Sequence, residues 1–81
     1  MGEFKFFLEG IGSRTVAADF LKPDFTSESP SIIDASKELA EKKKLKFMGH
    51  ESLNRGYRLY YEKPSLLKKN RKTYIYYVSC D

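Results

Sequence analysis

The stretch from residue 30 to 44 constrains this chain more than any other. Ile32, Ala35, Ser36, Leu39 and Ala40 recur at helical spacing, while Lys37, Glu38, Glu41 and Lys42 fall on the opposite side. That period predicts one amphipathic helix with a single face to bury. Ser29-Pro30 reads as its N-cap and first helical residue. Asp34 near the start and Lys42-Lys43-Lys44 at the end suit the helix dipole.

The surface that this helix needs is supplied by strands on either side of it. Residues 3–9 alternate Phe4, Phe6 and Leu8 with Glu3, Lys5 and Glu9, with Phe7 interrupting the polar side, which is strand periodicity. Gly10-Ile11-Gly12-Ser13 supplies a turn. Beyond the helix, residues 45–50 read as a short strand with Leu45 and Phe47 on one face, and Asn54-Arg55-Gly56 as a turn. Residues 57–62 set Tyr57, Leu59 and Tyr61 against Arg58, Tyr60 and Glu62, and Pro64 stops the run. A basic loop over 65–72 leads to a last strand over 73–79, rich in Tyr, Ile and Val.

Two segments read less simply. Residues 24–31 are a loop by composition. Residues 13–22 fit a strand through Val16, Ala18 and Phe20, and equally a helical face through Val16, Ala17, Phe20 and Leu21. The propensity of Ala-Ala-Asp, a capping Ser13 and a terminating Pro23 tilt the reading to a short helix. The expected fold class is α+β: a small antiparallel sheet of four or five strands packed against one main helix at about 30–44, with a second short helix at about 14–22. A chain of 81 residues makes a single domain over 1–81. Its 41% hydrophobic content, with six Phe and six Tyr, is enough for one core and argues against disorder. At this size only roughly 60–65% of the unfolded surface is buried, so stability should be marginal.

Cys80 stands alone and excludes an internal disulfide, which favours a reducing compartment; it reads as a strand-end residue. No apolar run approaches the roughly 20 residues of a membrane span. The start, Met1-Gly2-Glu3-Phe4-Lys5-Phe6, lacks the form of a secretory signal and the Ser or Thr of a myristoylation pattern. The expectation is a soluble cytoplasmic protein with no membrane partner. His50 beside Glu51 reads as a turn residue, and one His with one Cys cannot make the usual zinc set. Gly10-Ile11-Gly12 lacks the third glycine of a dinucleotide fingerprint and the lysine of a P-loop. No cofactor, metal or catalytic constellation is expected, and the chain reads as non-enzymatic.

Charge is the more informative signal. Residues 1–41 hold four bases against eight acids, a net −4, and residues 42–81 hold eleven bases against three acids, a net +8. Such asymmetry points to an anionic partner. The candidate nucleic-acid-binding residues are Lys42, Lys43, Lys44, Lys46, Arg55, Arg58, Tyr60, Lys68, Lys69, Arg71 and Lys72, with Lys63 in the same stretch. If they converge, their attraction to phosphates is strong and salt-dependent. Tyr60, with Phe7 and one of Tyr74 or Tyr76, could add a stacking surface for unpaired bases. The plainer reading is that the lysines solvate a small domain whose sheet faces are both packed.

The expected function is therefore a small binding module that engages nucleic acid or a nucleoprotein complex through its basic C-terminal half. A protein–protein interaction module, such as a stoichiometric inhibitor or adaptor, is the second class. It would use the acidic Glu28, Asp34, Glu38 and Glu41, an exposed sheet edge, or pairing of unlike halves in a homodimer. A third reading comes from Arg55-Gly56-Tyr57-Arg58-Leu59-Tyr60-Tyr61 followed by residues 73–79, which resembles the last strands of RelE/ParE-type toxins. That resemblance implies an order β-α-α-β-β-β if 14–22 is helical, and an activity that cuts mRNA on the ribosome or poisons gyrase.

Overall fold

The computed structural model describes residues 3–17, 21–63 and 72–80. In chain order its elements are β1 (Phe4–Ile11), β2 (Arg14–Thr15), β3 (Phe25–Ser27), α1 (Ile32–Lys43), β4 (Lys46–Leu53), β5 (Gly56–Glu62) and β6 (Thr73–Cys80). The strands form one antiparallel sheet in the order β2-β1-β6-β5-β4, with β3 also on β1. The short strands β2 and β3 share the side of β1 away from β6, one pairing near its end and the other near its start. The architecture is α+β, a sheet packed against one helix.

Alternation along three long strands builds the core. Phe4 and Phe6 of β1, Leu59 and Tyr61 of β5, and Tyr76 and Val78 of β6 share one face, and Ala35 and Leu39 of α1 pack on them. The Tyr61 hydroxyl donates to the Ser36 carbonyl at 2.8 Å, so this buried ring leaves no polar atom unsatisfied. Burial pushes the Tyr61 phenol well above its ordinary range and the Tyr76 phenol up to about 12, because the phenolate would lose its hydration.

The helix starts one turn signal later than expected. Ser31, not Ser29, is the N-cap: its hydroxyl accepts from the Asp34 amide at 3.2 Å while its own backbone stays extended. Ser29 has another use, donating to the Glu38 carboxylate at 2.5 Å, which ties the approach to the helix against its exposed side. The helix ends at Lys44, whose backbone is left-handed at φ 56°, and whose amide reaches the Ala40 and Glu41 carbonyls.

Other expectations change. The described part of 14–22 holds no helix: Arg14 and Thr15 pair with Ile11 and Gly10, and the Val16 amide donates to the Glu9 carbonyl at 2.8 Å. Those bonds consume the backbone groups that a helix would need. With β3 in the expected loop, the sheet has six strands rather than four or five. Among the described residues the element order is β-β-β-α-β-β-β, with one helix where the toxin resemblance implied two. His50 lies within β4, not in a turn, with its ring 6.3 Å from those of Phe47 and Tyr57. No described helix is long and apolar enough to cross a membrane.

Candidate functional site

Strand register gathers the basic residues more tightly than their sequence positions suggest. Lys46 opens β4 opposite Glu62, the last residue of β5, and Glu62 lies opposite Thr73, the first residue of β6. Ile11 ends β1 against both Arg14 and Tyr74. Arg14, Lys46, Lys63 and Lys72 therefore occupy one rim of the sheet. Backbone bonds lace that rim, from the Gly12 amide to the Thr73 carbonyl at 2.8 Å and from the Lys63 amide to the Lys72 carbonyl at 3.3 Å.

The helix delivers its lysines to the same rim. Its last turn carries Lys42 and Lys43, and Lys44 and Leu45 lead directly into Lys46. Arg14, Lys42, Lys43, Lys44, Lys46, Lys63 and Lys72 are all exposed. None of them forms an ion pair with a described carboxylate; Glu41 and Glu62 are the acids nearest in register and sequence. Helix carbonyls at this end add partial negative charge that the lysines offset.

The other candidates lie elsewhere. Arg55 is in the turn between β4 and β5, at the opposite rim, beside the pairing of Gly56 with Ser79. Arg58 and Tyr60 are on the sheet face away from the helix. Lys68, Lys69 and Arg71 lie outside the described residues, as does the rest of the expected basic loop up to Lys72.

On that open face Arg58 is held by carboxylates. Its Nε is 3.2 Å from Glu9 Oε1 and its Nη1 is 3.6 Å from Glu51 Oε1. The hydrogen bond to Glu9 and the charge of that carboxylate raise the Arg58 pKa, and the Tyr60 hydroxyl adds to this more weakly. Glu9 reaches Arg58 because the pairing of β1 with β6 shifts between Leu8 and Gly10, leaving Glu9 as the extra residue. An arginine shared by two carboxylates offers little net charge to a phosphate.

The stacking partner is not the one the sequence suggested. Tyr74 and Tyr76 belong to the helix face. Tyr77 lies opposite Phe7 and Arg58 in register, and its ring stacks on Phe7 at 6.4 Å and 28°. Phe7 is only 3% exposed, so it supports the face rather than presenting a ring. Tyr60 is half-buried and lines a cleft with Gly12, Ser13, Arg14, Arg58 and Ile75.

Sequence reasoning passed over Arg14, because it lies in the acidic half, and over Tyr77 and the acids that hold Arg58. Among the described residues no three His, Cys, Asp or Glu side chains group as a metal site would need. No protein family, curated protein or solved structure matches this chain significantly.

Proposed function

We propose that this protein is a non-enzymatic binding module that engages nucleic acid through the cationic rim. One observation carries this reading: Arg14, Lys42, Lys43, Lys44, Lys46, Lys63 and Lys72, drawn from five places in the chain, are exposed at one end of the sheet and helix. When such a cluster neutralises the phosphates of a nucleic acid, the condensed counterions are released into solution, and binding strengthens as salt falls. Lys44 holds a left-handed conformation where glycine is the usual choice, and its exposed side chain adds to the charge at this end.

The test is fluorescence anisotropy with labelled oligonucleotides over a range of salt, comparing the protein with a Lys42→Gln, Lys44→Gln, Lys46→Gln, Lys72→Gln variant. The variant is expected to bind more weakly, with the slope of log K against log salt falling by about 0.7–0.9 for each phosphate that the protein no longer neutralises. Arg55→Gln, at the far rim, should leave both unchanged. Equal affinity and slope in the four-fold variant would end this reading.

A protein partner is the second reading, favoured by the outer side of β4. Residues Lys46–Leu53 pair with β5 alone among the described residues, which leaves an edge that an extended segment could join as a further strand. The irregularity at Met48 and the charges of Lys46 and Glu51 work against casual pairing there. A complex that survives both nuclease and high salt would favour this reading over the first.

A further inference from the structure

Resting on the nucleic-acid reading, we infer that the ligand is single-stranded, with an unpaired base stacking on Tyr60 while its flanking phosphates meet the cationic rim. Tyr60 is placed for this by register. It lies opposite Ile75 on β6, two residues before Glu62, which pairs with Lys46 at the rim. Tyr60 is half-buried and lines a cleft on the open face. The cleft that it lines holds ≈ 350 Å³ and is walled by Gly10, Gly12, Ser13, Arg14 and Thr15. Arg14 belongs both to that wall and to the rim, so the cleft adjoins the cations.

The charges around the ring fit the same occupant. Glu9 is the acid of the cleft, and its carboxylate is occupied by Arg58 at 3.2 Å, which lowers the repulsion that a nearby phosphate would feel. Arg58 lines the same cleft as Tyr60, and it is held there by Glu9 and Glu51, so the wall beside the ring is set before any base arrives. Duplex nucleic acid keeps its bases stacked on one another, so it can use the rim but not the ring.

The test compares single strands with duplexes of the same sequence, measured with the protein, Tyr60→Phe and Tyr60→Leu. Tyr60→Leu is expected to weaken single-strand binding roughly 5- to 150-fold, the range for one stacked base, and to leave duplex binding unaltered. Tyr60→Phe should bind like the original. Circular dichroism verifies the fold, and Tyr60→Thr, a strand-forming residue without a ring, replaces the leucine variant if that fails to fold. Single-strand affinity unchanged in a folded ringless variant overturns the inference, as does an equal or greater affinity for duplex. In either case binding through the rim still stands if the lysine variant loses affinity. If neither form of nucleic acid binds the original protein, both readings fall together.

Discussion

A methyl group would have opposite effects at two glycines of the sheet. At Gly56 an added Cβ would overlap the Val78 carbonyl oxygen, an atom fixed by the β5–β6 ladder. Gly56→Ala must therefore push those strands apart, at a cost on the order of 1–3 kcal/mol. For a domain this small, each kcal/mol lowers Tm by roughly 4–8 °C. At Gly49 the same atom meets nothing within 4 Å. Gly49→Ala should be neutral or stabilise by about 0.5 kcal/mol, because glycine within a strand loses more freedom on folding than alanine does. Urea denaturation of both variants checks the pair, and equal effects would contradict the close approach at Gly56. The sequence placed Gly56 in a turn and Gly49 in a strand, but it did not show the crowding at Gly56, which arises from a strand more than twenty positions away.

The helix combines a favourable start with a costly end. Ser31→Ala removes the acceptor of the Asp34 amide and should cost about 1 kcal/mol. Lys44→Gly relieves a left-handed lysine and should stabilise by roughly 1 kcal/mol. The same change removes a cation from the rim, so a higher Tm should accompany weaker nucleic-acid binding; a rise in both would separate Lys44 from the site. The helix was legible because its period is long and regular. The faces of β1 and β5 were equally so, since Phe4, Phe6, Leu59 and Tyr61 alternate with polar residues. In β6 the run Tyr74-Ile75-Tyr76-Tyr77-Val78 has no polar member to mark its parity, which hid Tyr77 from the open face. The strands β2 and β3 were hidden because two and three residues carry no period at all. They exist through bonds to β1, and a segment's own composition does not record its partner.

Across the whole molecule, charge separates by end and not by sequence half. Antiparallel strands return repeatedly to the same rim, so Arg14 from the acidic half joins the lysines, while Arg55 from the basic half goes to the other end with the helix start at Ser31 and Asp34. The core of a chain arranged this way responds to alkali through Tyr61 and Tyr76. Both phenols are raised by burial, that of Tyr76 to about 12, against about 10 in the unfolded chain. The neutral phenols therefore stabilise the fold fully below pH about 10, and that contribution drains away as pH rises through about 12 and beyond. Following ellipticity and tyrosinate absorbance together should show Tyr61 and Tyr76 ionising only as the sheet unfolds. Tyr76→Phe should move the unfolding midpoint to higher pH, because one ionisation that drives it is gone. If all six tyrosines ionised near pH 10 with the ellipticity intact, the packing of α1 over Tyr61 and Tyr76 would have to be wrong.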